Sequence, residues 1–571
     1  MNRINYIFVT TLFLLVCSGF AQTPIKENKD NFYCNPINIS YRFFLDGPSR
    51  REAADPAIVM YRDNYFLFAS KLGGYYYSPD LLQWNFVGDT NLPIENYAPA
   101  AVVFNDEMYW LANGTDKLYK TSDPISGKWE VANPDFPVVG DPAFFVDTDG
   151  KIYLYHGVSN NDFIKGVELD IKNNLSPKGE NVNLFKGNPK EHGWERPGDY
   201  NELNTAPWIE APWMNKVNGT YYLQYSAPGT EYKSYADGYY TSKSPLGPFK
   251  YAPSSPFSYK PEGFIAGAGH GATFQDKNGN WWHIATMSVS VRERFERRLG
   301  LFPVQFDRDG VLWEDASFGD YPTIMPDHQV KDLDKLHPDW MLLSYAKKSD
   351  ASSTLKQHPQ MDAFNEDVRT YWSSKTGEKG EWLSVDLDSQ KTINAIQINF
   401  TENNTELFGR KGVLGQQYLV EYSADNKTWK TLVDQTNSQE DRTHQFHVLD
   451  TPIKARYLKV VNYRVPGGTF AISGFRIFGK GNGKKPDQIK SFEMNRDKLD
   501  TRNITLSWKP QPNATGYNIR FGIAPDKLYR SYMVYKNTKI TIRSLDKDTK
   551  YWFVIDAFGE NGITPGINQT E

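Results

Sequence analysis

The chain has 571 residues, 39% of them hydrophobic, which is enough for several domains with sizeable cores. A formal net charge of −4 gives no electrostatic reason to expect nucleic acid or an anionic membrane as partner. Two cysteines exclude a disulfide framework, and an aromatic content of 15% leans towards β structure, because Tyr, Trp and Phe suit strands as well as sugar faces.

In chain order, Met1-Asn2-Arg3, the apolar run Ile7 to Val16 and Ser18-Gly19-Phe20-Ala21 form the three parts of a secretory signal over residues 1–21. The apolar run is too short to span a membrane, so the mature chain is expected to have no transmembrane segment and to be secreted or periplasmic. A surface lipoprotein attached through Cys17 is the less favoured alternative, since Val16 before it is bulky. Cleavage after Ala21 leaves Cys34 as the only cysteine, with no intrachain disulfide.

Residues 22–346 are organised by one recurring pattern: an opening residue, an apolar run, a turn and an aromatic-rich run, which spells a β-hairpin. It opens at Asp55-Pro56, Ala98-Pro99, Asp141-Pro142, Glu210-Ala211-Pro212 and His270-Gly271. Small repeated sheets cannot bury both faces alone, so they are expected to pack around an axis as a five-bladed β-propeller. With first strands innermost, Asp55, Ala98, Asp141, Glu210 and His270 would ring one mouth of the channel. The connection from Asn160 to Pro207, rich in Gly, Pro and Asn, is expected to overhang that mouth.

Beyond Lys347 a polar stretch through Ser349, Ser352 and Ser353 reads as a linker. The strands that follow, among them Trp382 to Leu387 and Tyr457 to Val461, predict a β-sandwich over 347–480. A second linker, Gly479 to Pro486, leads to 486–571, where Trp508 and Tyr551 fit the buried Trp and corner Tyr of a small seven-strand sandwich. The fold class is therefore all-β: a five-bladed propeller followed by two β-sandwich modules.

Cleavage of a glycosidic bond needs a proton for the leaving oxygen and an activated nucleophile, which two carboxyls with different proton affinities supply. A third carboxyl nearby can keep the acid protonated by like-charge repulsion. Asp55, Asp141 and Glu210 meet this requirement. The stretch from Asn35 to Asp327 resembles glycoside hydrolase family 43 through Asp55-Pro56, Asp141-Pro142 and Glu210-Ala211-Pro212, which match its motifs in order and in blade.

That resemblance implies inversion at the anomeric centre, with Asp55 as general base, Glu210 as general acid and Asp141 as modulator of the acid. It also implies substrate contacts from His270, Arg297 and Tyr97, the last where many relatives place Trp. No cofactor is required for the chemistry; a structural calcium in the channel, reached by His270 through water, is implied by the same likeness. Plainer roles stand beside these: Asp-Pro as a turn opener, His270 as a hydrogen-bonded structural group, Arg297 in a salt bridge with Glu293 or Glu296, and Tyr97 packed between blades.

The second module resembles the discoidin, or factor 5/8 type C, family through Tyr371-Trp372-Ser373-Ser374, Trp382 to Leu387 and Ala471 to Phe475, and the third resembles fibronectin type III. The implied function is a secreted inverting exo-glycosidase that removes terminal α-L-arabinofuranosyl or β-D-xylosyl residues from a polysaccharide or oligosaccharide. The alternatives are a galactofuranosidase or galactan-active enzyme, a fructan or anhydro-sugar enzyme, and a non-catalytic carbohydrate-binding protein.

Overall fold

The five recurrences fold as five antiparallel sheets. In this computed structural model the described residues are 31–45, 47–409 and 412–571, so the signal segment and Cys17 lie outside them. The first sheet runs Ala57–Tyr61, Asn64–Phe68, Tyr75–Ser78 and Asn85–Val87, each strand hydrogen-bonded to the next. The others begin with Pro99–Phe104, Ala143–Val146, Glu210–Val217 and Ala266–Gln275 and repeat the meander, with one further strand in the third. Each first strand packs against the first strand of the next sheet, and the fifth returns to the first, so the ring closes as a five-bladed propeller.

Aromatic side chains fill the gaps between blades. Phe68, Tyr75, Trp110 and Trp129 close the first gap, Phe144 and Leu154 pack with Ala100 and Leu111 in the second, and Tyr222 packs with Phe257 and Val304 between the fourth and fifth. The last gap, between blades five and one, is filled by Tyr65, Leu67, Trp282 and Leu301. This is where the 15% aromatic content goes: wedge-shaped spaces between twisted sheets take large flat side chains.

The second module is built on two long strands, Trp382–Phe400 and His444–Arg464, which bend at register shifts near Asp386 and Ala395 and carry the sheet around its own core of Trp372, Ile396, Tyr418 and Phe475. The expected linker is not one. Lys348–Ala351 is a strand paired with Leu383–Asp386, because its polar side chains sit on a sheet edge that faces solvent on one side.

The third module packs a three-stranded sheet against one of five strands. Its Trp508 is buried, and the backbone N–H of Asp546 donates to Tyr551 Oη at 3.0 Å, the corner expected there. Short added strands at Gly562–Thr564 and Gln569–Thr570 take this module beyond seven strands.

Much of the stretch from Asn160 to Pro207 is not a connection: Ile164–Asp170, Ser176–Pro177 and Val182–Phe185 are strands of the third blade. The segment after them docks on the third module: Gly193 N–H donates to Leu545 O, Lys547 N–H to Glu191 O, and Arg196 binds Asp500, Asn503 and the Arg543 carbonyl. Trp194, Tyr225 and Ile209 accordingly share one hydrophobic core with Trp508, Ile519 and Phe553. Among the described residues no helix is long and apolar enough to cross a membrane.

Candidate active site

At the opening of each blade the chain turns sharply. Asp55, Ala98, Asp141, Ala211 and His270 have φ of 52°, 44°, 45°, 58° and 42°, the left-handed region that a non-glycine residue enters at a cost of about 1–3 kcal/mol. Four of the five are followed by Pro; the fifth is followed by Gly271, where a Cβ would lie 2.2 Å from His283 Nε2. The conformation corrects the sequence alignment in blade four. Ala211 holds the position equivalent to Asp55, and Glu210 stands one residue earlier, level with Tyr97 in blade two. Counting from the carboxylate rather than from the proline hid this shift.

The hydroxyl at the end of each participating second strand holds the opening residue of the next blade. Thr286 Oγ1 accepts from Asp55 N–H at 2.8 Å, Ser70 Oγ from Ala98 N–H at 2.8 Å, and Ser226 Oγ from His270 N–H at 2.7 Å. The first of these contacts joins blade five to blade one. It sets the backbone of Asp55 from the far end of the ring.

Asp55 is buried and its carboxylate accepts from several donors. Arg297 Nη1 donates to Oδ1 at 2.8 Å, Ser70 Oγ donates to Oδ2 at 2.5 Å, and His270 Nδ1 lies 3.3 Å from Oδ1. Burial pushes the acid up, but Arg297, His270 and the Ser70 hydroxyl outweigh it and hold Asp55 below its ordinary range. Arg297 in turn donates through Nη2 to Glu52 Oε1 at 2.6 Å and through Nη1 to Thr230 Oγ1 at 3.2 Å. The rival pairing of Arg297 with Glu293 or Glu296 does not form; Glu293 lies by Arg50 and Glu296 by Arg298.

Glu210 and Asp141 are tuned the other way. Burial raises Glu210 to about 7, with the negative charge of Asp55 adding to it, although the Tyr235 hydroxyl, 2.5 Å from Oε1, draws it back. Asp141 is pushed well above its ordinary value by burial and then by Glu210 and Asp55. One carboxylate is thus fixed as anion while its two neighbours favour the proton, the separation that acid/base work demands. Tyr235 reaches Glu210 because its ring lies over Gly269, where a Cβ would come within 2.6 Å of it.

His270 Nδ1 is 3.8 Å from Asp141 Oδ2 as well as close to Asp55, and burial keeps the imidazole towards its neutral form. Among the described residues no group of three or more His, Cys, Asp or Glu side chains converges as a metal site. Calcium takes six to eight oxygens, and Asp55 is already committed to Arg297, so these side chains do not fit a direct calcium cage. Tyr97, partly buried with φ of 70°, stands at the rim with its ring centroid 5.5 Å from that of Phe295, Lys71 Nζ 4.6 Å above it and the Arg297 guanidinium 5.5 Å away. It faces the Asp55–Arg297 pair instead of serving only as packing between blades.

Sequence reasoning missed Glu52, Ser70, Thr230, Tyr235 and Thr286. A signal existed for two of them: Ser70 follows Asp55 by 15 residues and Thr286 follows His270 by 16, a repeat offset like that of the aromatic runs. Nothing in the sequence marks Tyr235.

The second module reaches this centre from behind. Arg51, fully buried, pairs with Glu402 at 2.6 Å and Asp441 at 2.8 Å, while its neighbour Glu52 turns to Arg297. Arg298 Nε lies 2.9 Å from His444 Nε2, while its neighbour Arg297 turns to Asp55. Along two adjacent strands, alternate side chains therefore face the mouth and the second module.

Fold and site together define an all-β propeller protein with three carboxyls gathered at one mouth, Asp55 and Asp141 buried and Glu210 half-buried. Residues 49–312 match the family model described as glycosyl hydrolases family 43, and residues 348–473 the F5/8 type C domain, so the chain carries a family 43 domain followed by an F5/8 type C domain. Among curated proteins, a β-D-galactofuranosidase of Aspergillus niger is 28% identical over 35% of this chain and 64% of its own. A xylan 1,3-β-xylosidase of a Vibrio species is 25% identical over 40% and 46%. A non-reducing end α-L-arabinofuranosidase of Bacteroides ovatus is 22% identical over 62% and 66%. The chain spans about half to two thirds of the length of these relatives.

Proposed function

We propose that the protein is a secreted, inverting exo-glycosidase that releases terminal α-L-arabinofuranosyl or β-D-xylosyl residues from polysaccharide or oligosaccharide chains. The observation that carries this is the opposed tuning of Asp55, held anionic by Arg297 and Ser70, and Glu210, raised to about 7. Asp55 draws a proton from water as the water attacks the anomeric carbon, and Glu210 delivers its proton to the departing glycosidic oxygen. Burial, with the negative charge of Asp55 adding to it, keeps Glu210 protonated, and Asp141, raised in turn by burial and by Glu210, stands beside it as the modulating carboxyl. Arg297 holds the Asp55 carboxylate in place, and Tyr97 with Phe295 forms a wall for the sugar. The xylosidase and arabinofuranosidase relatives support a pentose; the galactofuranosidase relative favours galactofuranose as the second choice. The third module is of fibronectin type III character, and its docking on the segment from Glu191 to Arg196 supports a bracing role. Export rests on the composition of residues 1–21.

The test is the pH profile of kcat/KM on an aryl glycoside that turns over. A bell with its alkaline limb near 7, lost in Glu210→Gln while the acid limb remains, is expected. An alkaline limb untouched by that change would remove Glu210 from the acid role. Proton NMR of the first-formed sugar anomer tests inversion.

A further inference from the structure

The fourth strand of blade five (Leu312–Glu314), the segment through Trp340, the end of the second module and one face of the third module enclose a cavity of about 890 Å³. It shares no lining residue with the mouth that holds Asp55 and Glu210. Three flat aromatic rings, Trp313, Tyr529 and Trp340, stand on its walls. Trp313 of the propeller stacks on Tyr529 of the third module, with ring centroids 4.7 Å apart and planes 9° from parallel, and Trp340 stacks on Phe32 at 4.9 Å.

Between them the cavity presents polar groups of both kinds. Arg520 binds Asp556 at 2.6 Å, and His337 lies 3.0 Å from Asp315. Asn518 sits two residues before Arg520 on the same strand face and is 1% exposed. Its Nδ2 donates across to Ser317 Oγ at 3.3 Å, on the propeller wall, while its Oδ1 is buried with no hydrogen-bond partner. A buried carbonyl oxygen without a donor costs about 1–3 kcal/mol, and a hydroxyl would satisfy it.

We propose that this cavity is a second glycan site, which takes a short neutral oligosaccharide. Flat rings match sugar faces, and hydroxyls, being donors and acceptors at once, match a wall that mixes carboxylates, Arg520 and the free Asn518 oxygen. Carboxylates, with Asp334, Asp339 and Asp526 at the rim, outnumber cations there, which disfavours uronate or phosphate ligands. The volume falls in the range of pockets that enclose a small ligand. The choice of a glycan rests on the glycosidase function proposed above. The site would hold a polysaccharide chain on the enzyme while another end is trimmed at the mouth, raising the local concentration of chain ends.

The experiment is calorimetric titration of the full-length Asp55→Asn protein with xylohexaose and with α-1,5-arabinohexaose, hexagalacturonate serving as the anionic control, alongside aryl glycoside turnover by the protein with Asp55 intact. Adding Trp313→Ala, and separately Arg520→Ala, is expected to weaken one binding component for a neutral hexasaccharide about tenfold or more. The same two changes in the active protein are expected to leave kcat/KM on the aryl glycoside within about twofold. Arg520→Ala keeps the stacked aromatic pair, so agreement between the two variants separates lost binding from lost folding. Identical isotherms in all three proteins, absence of neutral-sugar binding beyond the mouth, or stronger binding of hexagalacturonate would overturn the proposal. If the active protein hydrolyses an aryl glycoside and the isotherms do not change, the second site alone has failed; if a binding component is lost in the variants but no glycoside is ever hydrolysed, the proposed function has failed instead.

Discussion

In the proposed reaction Glu210 carries a proton at neutral pH, and Tyr235 opposes it. The Tyr235 hydroxyl stabilises the carboxylate and so pulls the acid down. Tyr235→Phe removes that hydrogen bond, the pKa rises, and the alkaline limb of kcat/KM should move up by about half a unit or more; a limb that stays put or falls would show that the hydrogen bond does not tune the acid. Glu210→Ala should abolish turnover of substrates with poor leaving groups and retain more activity on activated aryl glycosides, since only the former need a proton. Equal loss on both would contradict the acid role. The same residue costs stability. Its folded value, about 7, lies above the ordinary carboxylate value, so its contribution is full below the ordinary Glu range and is lost as pH rises through about 7. Glu210→Gln should therefore raise the melting temperature at about pH 8, by on the order of 1 kcal/mol of stability, and do little at about pH 4. The three carboxyls were legible in the sequence because a repeat put them at comparable positions. Their helpers were not, because Tyr235 and Thr230 reach the site from loops that follow no repeat, and Glu52 precedes the first copy.

At the scale of single strands, side-chain alternation links the mouth to the second module. Arg51–Glu52 and Arg297–Arg298 each divide their side chains between the site and Glu402, Asp441 or His444. Removing one partner of a buried ion pair costs about 3–5 kcal/mol, because the other charge stays buried. Glu402→Ala, in the second module, should lower the melting temperature and reduce kcat at least severalfold through the Arg51–Glu52 strand. An enzyme of unchanged kcat would show the brace to be structural only. The hairpin repeats were readable from the order of apolar and aromatic runs. The one-residue offset of Glu210 against Ala211 is marked only by Pro212, which follows Ala211 as Pro56 follows Asp55, and aligning the repeats on their carboxylates conceals it. Lys348–Ala351 misled in the opposite sense: a polar stretch at a sheet edge has the composition of a linker.

For the molecule as a whole, the sequence separates three modules, but the structure fuses their surfaces. Trp194 and Ile209 of the propeller share a core with Trp508 and Phe553 of the last module, and Arg476 of the second donates to the Asp320 carbonyl beside Cys34. Interfaces of this kind are invisible to a reading that relies on local periodicity, because each contact joins residues more than a hundred positions apart. A chain cut after residue 346 should lose solubility or activity, and the full chain should unfold in one calorimetric transition; a stable, active propeller fragment would refute that integration.

The most direct test of the proposed chemistry is hydrolysis of aryl α-L-arabinofuranoside, β-D-xyloside and β-D-galactofuranoside by the wild-type protein and Asp55→Asn side by side. Turnover of a pentoside by the wild type, lost by about a thousandfold or more in the variant, is the predicted result. Turnover that survives in Asp55→Asn, or silence of the wild type on all three and on oligosaccharides, would contradict it.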